Sequence, residues 1–353
     1  DFVNASEMFT NEYAYFSSFS SSFLNHTKEY VDKMVSKFSL DENSSVLEVA
    51  SNDGYLLNFV KKLNIKCLGV EPTKSTADVA RSKGLEIIGD FFSTNLAKKI
   101  AKDKNTVDLA IANNVLAHVP NINDFVKGFY EILNPEGVAT FENPHLLELA
   151  NGKQFDTIYH EHFSYLSLTS VNEIFKNNGL TIFDVEKIPV HGGSLRYYAQ
   201  KSDTGRRFIS KRVNALLKEE RDAGLTNLDF YRNFQKVAES IRDEFKNFLI
   251  EQKNNGKLIA GYGAAAKGNT LLNFCNISKA LLQFIVDKNP MKQGLYCPGS
   301  KIPILDEKQI RVEKPDFIVI FPWNIKDEII DQLKFTKKWG CKFVVAIPSL
   351  SII

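Results

Sequence analysis

The chain has 353 residues, which is more than one ordinary core holds and predicts two or three domains. Its composition is 44% hydrophobic and 24% charged, with 27 Phe and 12 Tyr, which excludes fibrous and wholly disordered proteins. A net charge of +2 argues against a nucleic-acid or membrane partner, and no apolar run approaches the roughly 20 residues that a membrane span needs.

The N-terminus and the cysteines favour a cytoplasmic enzyme or binding protein. The first residues have neither the basic end nor the apolar stretch of a signal peptide, and the chain begins with Asp1 rather than Met, as a fragment would. The four cysteines lie far apart without a C-x-x-C pair, so neither a disulfide framework nor a zinc site is supported.

Residues 1–44 form an aromatic segment followed by an amphipathic helix, predicted from about Thr27 to Phe38. From 45 to 202, short apolar runs alternate with helical patterns, which predicts a parallel sheet covered on both faces. The predicted strands are 46–49, 67–70, 107–112 and 138–141, the predicted helices between them are 55–63, 76–83 and 124–133, and a final strand pair is 179–185 and 194–199.

Residues 203–254 are rich in Arg, Lys and Glu, contain no Pro and carry apolar residues at helical spacing, so we predict a helical connector. A second strand–helix pattern follows over 255–353, with apolar runs at 258–261, 282–286, 317–321 and 343–347. The expected fold is therefore α/β, with two Rossmann-like doubly wound domains joined by the connector.

The end of the first predicted strand carries acidic residues instead of a glycine-rich fingerprint. Residues 48–54 read Glu-Val-Ala-Ser-Asn-Asp-Gly, and Glu71 ends the second strand. A pyrophosphate would require G-x-G-x-x-G, whereas carboxylates suit a cationic cofactor and accept ribose hydroxyls. We predict an S-adenosylmethionine site at the strand ends, with another Rossmann-type nucleotide as the alternative; the candidate residues are Glu48, Ser51, Asp53, Gly54, Glu71, Asp90, Asn113 and Asn114.

An acid–base cluster lies at 159–162, where Tyr159, His160, Glu161 and His162 adjoin. Histidine titrates near neutral pH, and an adjacent carboxylate can orient it as a general base. A metal site is the competing interpretation, but the spacing differs from H-E-x-x-H. We therefore assign no metal.

Residues 261–270, Gly-Tyr-Gly-Ala-Ala-Ala-Lys-Gly-Asn-Thr, lie between a predicted strand and a predicted helix. Small residues let a ligand approach the backbone, and a helix N-terminus favours phosphate. This is not a Walker A sequence, and a purely structural turn is the alternative. We predict that Gly261, Gly263, Lys267 and Asn269 bind the diphosphate of a nucleotide-linked substrate; residues 287–290 and 322–324 are weaker candidates at strand ends.

These motifs together resemble the nucleotide-sugar C-methyltransferases that build branched deoxysugars. The resemblance rests on residues 12–18, 47–54, 113–119, 159–165, 191–196 and 261–269, and it runs over essentially the whole chain. It implies an S-adenosylmethionine domain and a second Rossmann-like domain with the active site between them. The implied substrate is a TDP- or GDP-linked 4-keto-6-deoxyhexose, methylated at C3.

The resemblance also implies catalytic roles. His162 matches the general base, and the other matching active-site residues are Glu161, Tyr159, His118 and Tyr13. His191 and Arg196 are candidates for substrate binding. Members of the family carry a cysteine-rich zinc module before the aromatic segment, so zinc is expected only if such a module precedes this chain.

Two other functions fit the same residues. One is an S-adenosylmethionine-dependent O- or N-methyltransferase on a sugar nucleotide, which needs no removal of a proton from carbon. The other is a non-catalytic nucleotide-binding protein, which the intact cluster at 159–162 argues against.

Overall fold

A computed structural model describes residues 4–8, 10, 16–19 and 21–353. The chain forms two compact units. Unit 1 contains Asp1–Leu146, His160–Pro189 and Gly193–Thr226, whereas unit 2 contains Leu147–Tyr159, Val190–Gly192 and Asn227–Ile353. The chain therefore passes from one unit to the other between Tyr159 and His160, inside the predicted acid–base cluster. Tyr13 lies outside the described residues.

The strands are short and mostly apolar, as buried parallel strands are. In unit 1 they are β1 (Ser45–Val49), β2 (Lys66–Val70), β3 (Ile87–Ile88), β4 (Val107–Asn113), β5 (Leu133–Pro144), β6 (Leu180–Ile188) and β7 (Ser194–Lys201). In unit 2 they are β8 (Ile259–Tyr262), β9 (Phe284–Val286), β10 (Ile304–Leu305), β11 (Phe317–Ile320), β12 (Lys342–Val345) and β13 (Ser351–Ile352).

The helices connect these strands. They are α1 (Ala5–Met8), α2 (Ser21–Phe38), α3 (Leu57–Lys62), α4 (Lys74–Ser82), α5 (Thr94–Lys104), α6 (Ile122–Ile132), α7 (Leu146–Asn151), α8 (Leu168–Asn177), α9 (Lys211–Asp222), α10 (Leu228–Tyr231), α11 (Phe234–Asn254), α12 (Ala266–Phe274), α13 (Gln309–Glu313) and α14 (Lys326–Gln332). Short 3₁₀ helices form at Ser17–Phe19, Leu116–His118, Phe155–Thr157, Val190–Gly192, Trp323–Ile325 and Lys334–Trp339.

The sheet of unit 1 has the order β3-β2-β1-β4-β5-β7-β6 in the described part of the chain. Its strands are parallel except β7, which is antiparallel to both β5 and β6. One face packs against α5, α6 and α8 through residues such as Leu47, Ala110 and Phe141, and the other face packs against α2 and α3 through Val46 and Ile111. Helices on both faces make this unit doubly wound.

The sheet of unit 2 has the order β10-β9-β8-β11-β12-β13, with only β13 antiparallel among its described strands. Its core includes Leu271 and Leu272 of α12 and Phe245 and Leu249 of α11. The expected class, α/β with two Rossmann-like doubly wound units, is thereby confirmed.

Several predicted boundaries differ from those in the structure. Helix α2 begins at Ser21, six residues before the predicted start at Thr27. The predicted connector 203–254 is divided between the units, since α9 belongs to unit 1 and α10 and α11 belong to unit 2.

None of the helices in the described part of the chain combines the length and apolar character that a membrane span requires.

Candidate active site

The turn after β1 is sharp without a run of glycines. Ala50 and Asn52 have positive φ angles of 56° and 50°, and Gly54 has 75°. A Cβ on Gly54 would lie 2.2 Å from Leu85 Cδ1, so a larger residue would have to adopt a strained φ and displace Leu85. The backbone therefore makes the tight strand-to-helix turn that the sequence predicted for a cofactor loop.

Glu71 fastens this turn from the end of β2. Its Oε2 accepts the Asn52 amide at 2.8 Å, and its Oε1 accepts the Thr73 amide at 2.9 Å. The residue is 5% exposed. Each carboxylate oxygen can accept a second hydrogen bond, so Glu71 can hold the turn and still receive ribose hydroxyls.

Glu48 and Asp53 have different surroundings. Burial raises the pKa of Glu48 well above its ordinary value, and the charges of Glu71 and Asp53 raise it further. Glu48 lies beneath the turn, where the Leu57 amide and the Tyr55 hydroxyl hydrogen-bond it. Asp53 is paired with Lys83 at 3.3 Å. Glu48 therefore supports the turn from within the core, whereas Asp53 forms an ion pair with Lys83.

The segment before α2 contacts the same turn, which the sequence did not indicate. The Ser17 amide donates to Asn52 Oδ1 at 3.0 Å, and the Ser18 hydroxyl donates to Asp53 Oδ2. No local pattern predicts these contacts, because 35 residues separate the partners.

The other predicted cofactor residues end β3 and β4. Asp90 is exposed, and its Oδ1 accepts the Phe91 amide at 2.8 Å. Asn114 has a φ of 56°, and its amide donates to the Glu142 carbonyl at 2.6 Å. Buried polar atoms without a hydrogen-bond partner among the described residues include Ser51 Oγ, Asp53 Oδ1, Asn113 Oδ1 and both side-chain heteroatoms of Asn114.

Those atoms suit S-adenosylmethionine. Buried polar groups normally find partners, so this concentration at the carboxyl ends of β1 and β4 is what a polar ligand would satisfy. Carboxylate oxygens suit the positive amino and sulfonium groups of S-adenosylmethionine, and the side-chain amide of Asn114 can both donate and accept a hydrogen bond. The residues present thus fit the cofactor.

The acid–base cluster is held against the end of β4. The Phe163 amide donates to the Ala117 carbonyl at 2.8 Å, and the rings of His118 and His162 meet edge to face with centroids 4.8 Å apart. Burial lowers the pKa of His118 to about 3, and repulsion from His162 contributes, although a hydrogen bond with the Glu161 backbone opposes the shift. His118 is therefore neutral at physiological pH.

The predicted catalytic residues are distributed over both units. His118, Glu161 and His162 belong to unit 1, whereas Tyr159 belongs to unit 2. Tyr165 was not a candidate from the sequence. Its ring centroid lies 6.0 Å from the ring centroid of His162. The structure thus brings His118, His162 and Tyr165 together within unit 1.

A buried hydrogen bond between His145 and Glu220 fixes the chain just beyond the cluster. His145 Nε2 lies 2.8 Å from Glu220 Oε1, and both side chains are fully buried. Glu220 also accepts the backbone amides of Leu168 and Thr169 at the start of α8. The Leu146 amide donates to the Leu166 carbonyl at 2.9 Å, so the end of the segment carrying His162 is anchored.

Arg196 is held inside unit 1 by carboxylates. Its Nε donates to Glu142 Oε1 at 2.6 Å, and its Nη1 lies 3.4 Å from Glu186 Oε2. The other oxygen of Glu142 lies 2.9 Å from His26 Nε2. Arg196 and His26 line a cavity of about 650 Å³ together with Tyr30. Arg196 thus lines a cavity, while its guanidinium is engaged by acidic partners.

The predicted diphosphate turn of unit 2 follows β8. A Cβ on Gly263, whose φ is 87°, would lie 2.5 Å from Pro322, so this position requires glycine. Asn269 keeps a buried Oδ1 without a partner among the described residues. Lys267 Nζ donates to Asn324 Oδ1 at 2.7 Å and lies 4.4 Å from the centroid of Trp323. His191, in the same unit, has a φ of 54°.

Asp287 repeats in unit 2 the arrangement of Glu71 in unit 1. It follows β9, and its Oδ2 accepts the Ala264 amide from the turn after β8 at 2.7 Å. Its Oδ1 accepts the amide two residues on, from Asn289, at 2.8 Å. Glu71 follows β2, which is the neighbour of β1, and Asp287 follows β9, which is the neighbour of β8. Each carboxylate accepts a backbone amide from the turn after that neighbouring strand. The equivalence was invisible in the sequence, because the residue types and spacings differ.

No cluster of three or more His, Cys, Asp or Glu side chains that could hold a metal ion occurs among the residues with described positions.

Unit 1 is a doubly wound sheet whose acidic, amide-lined turn fits S-adenosylmethionine, and its family match makes the chain an S-adenosylmethionine-dependent methyltransferase. The methyltransferase domain family matches residues 23–185, and the family described as the C-methyltransferase C-terminal domain matches residues 189–348. The C-methyltransferase NovU of Streptomyces niveus is 34% identical over 341 residues, which cover 97% of this chain and 81% of that protein. This chain belongs to the C-methyltransferase family.

Solved structures with lower identity match the chain in part. The PH0226 protein from Pyrococcus horikoshii OT3 is 17% identical, with a TM-score of 0.44, over 53% of this chain and 95% of that one. Magnesium protoporphyrin IX methyltransferase (ChlM) from Synechocystis PCC 6803, solved with bound SAH, is 14% identical, with a TM-score of 0.40, over 51% of this chain and 83% of that one.

Proposed function

We propose that this C-methyltransferase acts at C3 of a nucleotide-linked 4-keto-6-deoxyhexose, with His162 as the general base. The observation that carries the proposal is the His118–His162 pair, in which His118 is held neutral beside His162. The C3 carbon of a 4-keto sugar becomes nucleophilic when the proton next to the carbonyl is removed, so methylation at that carbon requires a base of this kind.

The proton transfer follows from these side chains. His162 takes the C3 proton, and the electron pair of that C–H bond moves toward the C4 oxygen to give an enolate. We assign His118 a role as donor to that oxygen, for which its single N–H must leave the Glu161 backbone. Because its pKa is far below neutral, His118 does not compete with His162 for the proton. We assign the same donor role to Tyr159 and Tyr13, and an orienting role to Glu161, as the resemblance implies.

When bound, S-adenosylmethionine would supply an electrophilic methyl group to C3 and would leave as S-adenosylhomocysteine. No covalent bond between the substrate and the enzyme is needed. The main work of the protein at this step is alignment.

We place the nucleotide of the substrate on unit 2. The turn at 261–269 offers backbone amides at the start of α12, and the match between Asp287 and Glu71 supports a nucleoside at the carboxyl ends of β8 and β9. The diphosphate is then expected near Lys267 and Asn269, with TDP or GDP as its nucleoside diphosphate.

The test separates proton removal from methyl transfer. The enzyme is incubated in D₂O with TDP- or GDP-linked 4-keto-6-deoxyhexoses and S-adenosylhomocysteine, and deuterium at C3 is measured by NMR. We expect exchange with the native chain, none with His162→Asn, and unchanged exchange with the control His160→Asn, which alters an exposed neighbour. Persistent exchange in His162→Asn would remove His162 from the base role.

A second incubation with labelled S-adenosylmethionine identifies the product. We expect the label at C3 of the sugar. Label on an oxygen or a nitrogen would contradict the proposed reaction, and no transfer to any 4-keto sugar would contradict the proposed substrate class.

A further inference from the structure

Trp323 contacts three functional segments within unit 2. It begins the 3₁₀ helix after β11, and its Nε1 donates to Asp156 Oδ2 at 2.8 Å. The Lys267 ammonium lies over its ring at 4.4 Å. A Cβ on Gly192 would lie 2.5 Å from the edge of the same ring, so this glycine packs directly on the indole.

Asp156 is a buried carboxylate with unused capacity. It is 1% exposed, and its Oδ1 has no hydrogen-bond partner among the described residues. Burial raises the pKa of Asp156 to about 6, while Lys267 and the Trp323 N–H oppose the rise. Burial likewise lowers the pKa of Lys267, and Asp156 opposes that change. Each residue thus helps to keep the other charged.

The segments that meet on Trp323 carry predicted site residues. Asp156 lies three residues before Tyr159, and Gly192 follows His191. The side chain of Gln154 joins the two segments by donating to the Gly192 carbonyl at 2.7 Å. Phe155 also packs on Phe274 of α12, the helix whose second residue is Lys267.

We propose that Lys267, Trp323 and Asp156 form a positioning unit through which an anion on the β8–α12 turn orders the segments that carry Tyr159 and His191. The inference rests on the proposed function, because the anion is the diphosphate of the substrate. Lys267 is shared among Asn324, the indole face and Asp156, so a diphosphate that engages its ammonium changes the field at Asp156 and at the ring. By linkage, the state of Asp156 affects anion affinity to the same extent.

Tryptophan emission reports this coupling directly. The chain has two tryptophans, and Trp339→Phe leaves Trp323 as the only emitter. We expect the Trp323 emission to change saturably as TDP or GDP is added, and the dissociation constant from emission should equal the one from calorimetry. Lys267→Met should abolish the emission change. Calorimetric binding without an emission change would overturn this inference and leave the proposed nucleotide site intact. Absence of binding would overturn both.

Asp156→Asn provides a second test. Asparagine can still accept from Trp323, but it removes the charge that competes with the anion for Lys267. We expect about tenfold tighter binding of TDP, a lower kcat and unchanged affinity for S-adenosylmethionine. The control is Asp243→Asn, which removes an exposed charge of the same unit on α11. Weaker or unchanged binding of TDP by Asp156→Asn would overturn the proposed coupling, since loss of a merely structural contact does not tighten binding.

Discussion

Asp156 makes the stability of unit 2 depend on pH in a direction that can be calculated. The pKa of this buried carboxyl is about 6 in the folded chain, against 3.8 as the ordinary value. Because the folded state prefers the protonated form, ionisation destabilises it, and the full penalty is present only above pH 6. The difference of about 2.2 corresponds to about 3 kcal/mol at about 1.4 kcal/mol per pH unit.

The substitution Asp156→Asn removes this pH-dependent penalty. With those two pKa values the penalty is about 1–2 kcal/mol near pH 5 and about 3 kcal/mol near pH 8. The stability of the native chain relative to the variant should therefore fall by about 1–2 kcal/mol between about pH 5 and pH 8. The charged group that faces the carboxylate is Lys267, whose attraction is included in the shifted value.

The assay is urea unfolding followed by tryptophan emission. Both tryptophans, Trp323 and Trp339, belong to unit 2, so the signal reports on that unit. The loss of an acceptor or the gain of an amide shifts the variant by a constant amount at every pH, so the slope of the difference against pH is the decisive quantity. Parallel curves for the two proteins would refute a raised pKa at Asp156.

Three further predictions concern other contacts. Gly192→Ala should lower the free energy of unfolding by about 3 kcal/mol, because Gly192 has a φ of 85° and a Cβ there would overlap Trp323. The control Gly256→Ala should cost about 1 kcal/mol, because Gly256 has a similar φ of 73° but nothing within 4 Å. Equal losses in urea unfolding would contradict the overlap. Burial would raise the pKa of Glu220, but hydrogen bonds from His145 and Thr169 lower it below its ordinary value. Glu220 therefore stabilises the fold above its unfolded pKa, and this stabilisation is lost on acidification. Glu220→Gln should cost about 2 kcal/mol near neutral pH and less in acid, and a cost independent of pH in thermal unfolding would contradict this. Ser18→Ala should weaken S-adenosylmethionine binding about fivefold in calorimetry by freeing Asp53, and unchanged affinity would show that this hydrogen bond does not shape the cofactor turn.

Much of the layout of the candidate site was predictable because it depends on local pattern. Short apolar runs identified most of the strands, and acidic or amide residues directly after them, such as Glu71 and Asn114, had to lie at one edge of a parallel sheet. The cluster at 159–162 was visible because its titratable groups adjoin in the chain. The roles assigned to Tyr13, Tyr159 and His162 stay predictions.

The contacts that complete the site depend on which strands become neighbours, and no local pattern encodes that. Trp323 meets Asp156 across 167 residues, and Arg196 meets Glu142 across 54 because β7 inserts antiparallel beside β5. The sequence predicted that Lys267 binds a phosphate, but it could not show that the fold also surrounds the Lys267 ammonium with Asn324, an indole face and a buried carboxylate. Periodicity and residue type thus determined the strands, the helices and the inventory of reactive groups. Only tertiary packing decided which of those groups share a buried, poorly solvated space, where charges perturb one another most strongly.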